Sequence, residues 1–355
     1  MSIVPKGQKA LVAAQDNFTP AARVIPELAV TSDTDLQVRK AKDNFDRSLM
    51  PIAGANKAVD VPQMWRETFT NGIKVLATQS SETPTTSILI KIPAGHYFED
   101  KDKAGTAALL AAMLNESTTK RSAEDMSKAL QKLGASVGIS AGNSYLAINI
   151  NALTKHIDAT LALVYEKLTA PAFLPNEFDR NKNNAIQGAI NGKKNAGYLA
   201  SNAYRQLLHA DNIAATPSGG SEASLASIEA LYQQQVKAKG SEIILVSDLD
   251  KSSVLKSLSI FKSLTGEGKA LTLNLPESNA KRGVIYLVNK DNAAQSAIRI
   301  GKRSLTEDVT GEYYRAYLMN FPLGGAFNSR INLNLREDKG YTYGARSYFY
   351  GDKFS

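Results

Sequence analysis

Apolar and polar positions are well ordered from Trp65 to about Thr272 and less so on either side. Asn71-Gly72 is a tight-turn pair that leads into the alternating run Ile73–Ala77, and Ser87–Ile92 alternates in the same way, so both runs are expected as strands. Gly105–Leu114 is dense in Ala and Leu and reads as a helix. Ser122, followed by Glu124 and Asp125, supplies a hydroxyl cap and acids for the first turn of another helix. That helix should stop at Gly134, with Val137–Ile139 and Tyr145–Ile150 forming a hairpin. Helices are expected over His156–Leu168 and Glu177–Ile190, and a buried strand over Glu242–Asp250 that ends in a polar turn. Residues 1–62 carry Pro5, Pro20, Pro26, Pro51 and Pro62 and read as an extended connector, with one short helix around Asp33–Ser48.

A repeat follows. Ile90-Lys-Ile92 and the helix after it recur as Ile298-Arg-Ile300 and a helix over Tyr313–Phe321. Two copies of one strand-and-helix unit predict a duplicated architecture. One lobe would occupy 63–275 and a second would start near 280 and remain incomplete at Ser355. The chain is therefore expected to be a piece of a longer multi-lobe protein.

Composition narrows the function classes. With 355 residues, 43% of them hydrophobic, the chain can bury the cores of about two domains. The net charge of +8 raises the question of a polyanionic partner. Its positive residues are scattered, however: Lys101, Lys103, Lys120, Arg121, Lys182, Lys193 and Lys194 sit among acids or alone on turns. No basic run interleaved with aromatics exists, which argues against nucleic acid. Without cysteine there is neither a disulfide nor a thiolate metal site. No apolar run is long enough for a membrane span, and Met1–Lys9 lacks the apolar stretch of an export signal.

The candidate chemistry begins with what is missing. His96, His156 and His209 are the three histidines, and no two are spaced to share a helix face. The run Gly105–Thr118 resembles the zinc-peptidase helix of the pitrilysin/insulinase (M16) family, G-x-A-H-x-x-E-H-M-L-x-x-G-T. Ala108, Ala111 and Ala112 fall where that pattern has His, Glu and His. The family's further ligand, a Glu some 75 residues beyond the second His, falls on Gln187 within Phe178–Gln187. Catalytic zinc needs about three imidazole or carboxylate ligands and an open position. Methyl groups supply none, and a neutral amide is a poor substitute. No metal is expected in this chain. Any close-packed buried helix would also read Ala-Ala-Leu-Leu-Ala-Ala-Met-Leu, so the resemblance rests on the other landmarks.

The strongest of those is Phe321–Gly344, which resembles the family's second-lobe signature L-G-G-x-x-x-S-R-L-x-x-x-L-R-E-x-x-G-L-x-Y. The resemblance implies a substrate-facing loop at Gly324, Gly325, Ser329 and Arg330, and a catalytic pair at Arg336 and Tyr343. In active members such a pair holds the peptide backbone and the scissile carbonyl. As charge builds on that oxygen, a guanidinium and a phenol placed beside it favour the transition state over the ground state. The competing reading pairs Arg336 with Glu337 or Asp338 on a surface turn and packs Tyr343 on a strand face. Asn71–Val75, Gly95–Glu99 and Leu245–Asp250 also fit the family, and Ser2–Gly7 resembles the closing strand of a preceding lobe.

The resemblance implies an α+β fold in which each lobe is an antiparallel sheet covered on one face by helices. It implies the non-zinc half of a peptidase, acting on unfolded peptide with a zinc-bearing partner half, fused or separate. An inert scaffold or partner-binding module is the alternative. Periplasm is the expected compartment and cytoplasm the alternative.

Overall fold

The Asn71-Gly72 turn joins β1 (Met64–Thr68) to β2 (Lys74–Gln79) as an antiparallel ribbon, with Met64 opposite Thr78 and Thr68 opposite Lys74. Gly72 takes φ +89°, which glycine adopts without steric cost. The Asn71 amide donates to the carbonyls of Phe261 and Leu264 at 2.9 and 2.8 Å, tying the turn to the far end of the lobe. This computed structural model describes residues 61–351 other than 211, 217, 218, 220, 221 and 276, with isolated positions between 46 and 58. The helix expected over Asp33–Ser48 and the Ser2–Gly7 strand fall outside the described residues, apart from positions 46 and 48. By contact the chain groups into two compact units, Met1–Val59 and Asp60–Ser355, and the sheet and its helices all belong to the second.

Among the described residues six strands form one sheet in the order β1-β2-β6-β3-β5-β4, with β3 Thr85–Ile92, β4 Ser136–Ala141, β5 Leu146–Leu153 and β6 Glu242–Ser247. All pairs are antiparallel except β2 with β6, so the sheet is mixed rather than wholly antiparallel. Alternation decides the faces. Val75, Ala77, Ile88, Ile90, Ile148, Ile150, Ile243 and Leu245 are buried on one side, while Ser87, Asn149, Asn151 and Glu242 stay exposed on the other.

The buried face meets helices α1 (Thr106–Asn115), α3 (Ile157–Thr169) and α6 (Leu225–Gln235) through Leu110, Met113, Leu114, Leu161, Val164, Ile228 and Leu231. Burying each large apolar side chain contributes about 1.5–3 kcal/mol. Local signals set the helix ends. Ser122 accepts the Asp125 N–H at 3.1 Å to start α2 (Ala123–Lys132), and Gly134 at φ +62° follows its end. Pro175 opens α4 (Pro175–Gly192), Asn195 caps α5 (Ala196–His209), and Asp250 caps α7 (Lys251–Ser257).

The second copy of the repeat is only half present. Its helix exists as α8 (Glu312–Asn320), but no strand follows Ser247 among the described residues. Ile298 and Ile300 are 73% and 93% exposed. A strand is held by the neighbour that takes its hydrogen bonds, and among the described residues none lies alongside. The segment instead runs beside α5: Leu207 accepts the Asn279 N–H at 2.9 Å, and Arg299 Nε donates to Ser201 at 3.3 Å.

Candidate functional site

Helix α1 is firmly placed at both ends. The covered Glu99 carboxylate accepts the N–H groups of Gly105 and Ala107 at 2.7 Å each, satisfying donors that a helix start leaves open. At the other end the buried Lys167 ammonium donates to the Asn115 carbonyl at 2.9 Å. Helix α4 is fastened across that end: Glu177 accepts from the Ser117 hydroxyl at 2.5 Å, and Asn181 donates to Glu116 at 2.9 Å. Arg180 pairs with Glu116 at 2.5 Å. Burial raises the Glu116 pKa, but Arg180 and Asn181 outweigh it and hold the carboxyl below its usual range.

On this frame Ala108 is exposed, Ala112 is half-buried, Ala111 is buried in the core, and Gln187 is exposed on α4. Three methyl groups and an amide do not fit a zinc ion. Among the described residues no three His, Cys, Asp or Glu side chains stand together as a metal site. His96 is not free for a metal either, since it bonds Glu99 and the Ile213 carbonyl.

The second constellation is a small module built on α8. The helix continues into a π-helical turn at Phe321–Gly325, and a helical turn at Arg330–Asn332 runs into another at Leu333–Asp338. Such wide turns are rare and cluster at functional sites. Gly324 is buried against the returning chain, its carbonyl accepting the Ser347 N–H at 3.1 Å. Gly325 and Arg330 are exposed. Ser329 is fully buried, and its hydroxyl has no partner among the described residues.

Arg336 lies with its guanidinium 4.7 Å from the Phe327 ring centre and pairs with Glu337 at 2.7 Å. Tyr343 is 90% exposed. Both residues thus belong to one module, but no contact joins them among the described residues. Arg336 adopts the surface-turn pairing that the sequence offered as the competing arrangement, whereas Tyr343 is not packed on a strand face.

Two residues that sequence reasoning passed over hold the module together. Asn332 is buried, donates to the Phe327 carbonyl at 2.8 Å and accepts the Ala345 N–H at 3.0 Å. Asn320, also buried, donates to the Ser347 carbonyl at 2.7 Å and accepts the Ser347 hydroxyl. Tyr313 adds a hydroxyl bond to the Phe349 carbonyl at 2.9 Å. The available signal was an Asn within an otherwise helical run, an uncomfortable place unless its amide is used.

Comparison with known proteins agrees with both halves of this description. The model described as Insulinase (Peptidase family M16) matches residues 74–221, and the one described as Peptidase M16 inactive domain matches residues 222–354. The chain belongs to the M16 family. Within it, the chain is 25% identical over 278 residues to the "Non-peptidase homolog YmxG" of Helicobacter pylori, covering 76% of this chain and 63% of that one. It is 23% identical over 288 residues to the "Uncharacterized zinc protease YmxG" of Bacillus subtilis, covering 80% and 69%. The chain thus spans about two thirds or less of the first of these relatives. A crystal structure of a peptidase M16 inactive domain from Pseudomonas fluorescens superposes with TM-score 0.69 at 24% identity, over 82% of this chain and 71% of that one. A protease from Helicobacter pylori gives 0.69 at 16%, over 83% and 73%. These structural likenesses establish the fold, an M16-type α+β lobe. No helix among the described residues is long and apolar enough to cross a membrane.

Proposed function

We propose that this chain is the non-zinc half of an M16 peptidase, which grips unfolded peptide with Arg336 and Tyr343 while a zinc-bearing partner half, fused or separate, cuts it. The observation that carries the reading is the division between its two constellations. Helix α1 offers methyl groups where ligands would stand, while the α8 module presents a solvent-exposed phenol and a guanidinium with a replaceable partner. An ion pair that solvent reaches on both partners, as Arg336–Glu337 is, contributes only about 0–1 kcal/mol, so a peptide carbonyl can displace Glu337 at little cost. Arg336 then donates to the backbone oxygen as charge grows there, and the Tyr343 hydroxyl supplies a second donor. The net charge of +8 would favour acidic peptides. We place the work in the periplasm, with cytoplasm the alternative, to be settled by cell fractionation.

The test is hydrolysis of a quenched, unstructured peptide by this chain alone, by a zinc-bearing M16 half, and by the mixture. Silence alone, turnover in the mixture and a loss of about 10²–10³ with Arg336→Ala support the reading. Turnover indifferent to Arg336→Ala refutes it. A second reading, an inert scaffold, is favoured by the Arg336–Glu337 pair as it stands and by the non-peptidase name of the Helicobacter pylori relative. It predicts complex formation without any effect of Arg336→Ala on turnover.

A further inference from the structure

Away from both constellations, a cleft of about 330 Å³ opens between the loop after α3 and helix α6, bordered by Thr119, Pro171, Phe173, Glu229, Tyr232 and Gln233. That volume lies in the range of small-ligand pockets. Phe173 has φ +46°, a left-handed conformation that a bulky residue keeps only when its surroundings impose it. Two contacts impose it here. The neighbouring Ala172 N–H donates to the Ser117 carbonyl at 3.0 Å, and the Phe173 ring meets Tyr232 edge-on, with centres 5.2 Å apart at 75°. Tyr232 is itself fixed by its hydroxyl, which donates to the Leu168 carbonyl at 2.8 Å. The aromatic corner is therefore preorganised.

Beside it stands Glu229, half-buried and without a hydrogen bond or ion pair among the described residues. The carboxylates at the other side of this loop are all engaged: Glu166 by Thr118 and Arg121, Glu177 by Ser117, and Glu116 by Arg180. A free carboxylate next to two aromatic rings calls for a ligand that is cationic at one end and apolar along its stem. The rings and Pro171 receive the methylenes, the ring faces attract the cation, and Glu229 accepts its N–H groups.

We infer that this cleft is a binding subsite for a single basic side chain, Lys or Arg, of an extended peptide. It is independent of Arg336 and Tyr343, and its test requires no turnover. The probe is acetyl-arginine methylamide, titrated into the full chain while the backbone amide resonances of Thr169, Ala170 and Tyr232 are followed, with neutral acetyl-norleucine methylamide as control. The expected result is saturable shifts confined to the cleft with the arginine probe and clearly weaker binding of the neutral one. Glu229→Gln should weaken the arginine probe about tenfold, the size of a lost hydrogen bond to a charged group. Because Glu229 bonds nothing among the described residues, that variant should melt with the parent, which guards against a folding artefact. Equal binding of both probes, arginine binding unaffected by Glu229→Gln, or no shifts at these amides overturns the inference.

Discussion

The side chain of Asn115 makes both main-chain bonds that Ile139 would offer a neighbouring strand: it donates to the Ile139 carbonyl at 2.8 Å and accepts the Ile139 N–H at 3.1 Å. Ile139 lies mid-way along β4, an outer strand of the sheet. Outer strands expose N–H and C=O groups to any extended chain, and proteins guard them. Here one amide at the last turn of α1 stands in for a strand. Asn115→Leu leaves both Ile139 groups unpaired at a part-buried site, which should lower stability by about 1–3 kcal/mol. Urea unfolding checks the loss, and light scattering should show added self-association through the opened edge.

The paired glycines of the α8 module differ in what they tolerate. A Cβ on Gly324 would sit 2.1 Å from Ser347 Oγ and 2.7 Å from its backbone nitrogen, whereas one on Gly325 meets nothing closer than 3.4 Å. Gly324→Ala must push the returning chain away and should cost about 1–3 kcal/mol locally. Gly325→Ala should be near neutral. Hydrogen exchange at the Ser347 amide separates the two: faster in the first variant, unchanged in the second.

Both ring nitrogens of His96 face acceptors, Nδ1 towards Glu99 at 3.1 Å and Nε2 towards the Ile213 carbonyl at 2.9 Å. A neutral imidazole can donate to one of them, an imidazolium to both. Burial pulls the pKa of His96 down, but the hydrogen bond and charge of Glu99 and the backbones of Ile213 and Thr216 outweigh it, and the net shift is upward from 6.5. The folded state therefore holds this proton more tightly than the unfolded chain. The resulting stability is complete below about pH 6.5 and disappears as pH rises through the folded value. The wild-type advantage over His96→Gln should shrink across that interval in urea titrations, and a pH-independent difference would count against the imidazolium.

Glu337→Gln separates the two readings of Arg336. The pair is partly solvent-exposed, Arg336 to 34% and Glu337 to 51%, so the change should alter stability by about 1 kcal/mol or less. If Arg336 grips peptide, releasing it from Glu337 should lower KM in the reconstituted mixture and leave kcat nearly unchanged. A scaffold would show no change in either constant.

What the sequence could reveal was set by how local each signal is. The Asn71-Gly72 turn, the isoleucine alternation of β3 and the Ser122 cap depend on a few neighbouring residues, and each lies where its pattern puts it. Helix α5 was missed because its apolar face is thinly marked: Leu208 is its one buried residue. The parallel pairing of β2 with β6 joins residues far apart in sequence, and periodicity carries no information about such a partner. Ile298–Ile300 has a strand's alternation, yet it is exposed, because pairing rather than propensity makes a strand. Ala108, Ala111, Ala112 and Gln187 could be read as blunted zinc positions only through the resemblance to the M16 pattern, because by residue chemistry alone any close-packed helix carries such an alanine-rich run. The Arg336–Glu337 pairing was legible only as one of two choices, since a surface charge has several partners of similar energy.

Strand β6, last of the six in the chain, lies between β2 and β3 at the centre of the sheet. During synthesis the β1–β2 ribbon and the β3–β5–β4 half therefore emerge as separate pieces, each with an open edge facing the gap. They can be joined only when Glu242–Ser247 has left the ribosome. Until then the nascent chain carries two unfinished, apolar sheet fragments, the kind of intermediate that aggregates or recruits chaperones. A translational pause just before Glu242 should therefore leave more apolar sheet edge open on the nascent chain than a pause placed after Leu264.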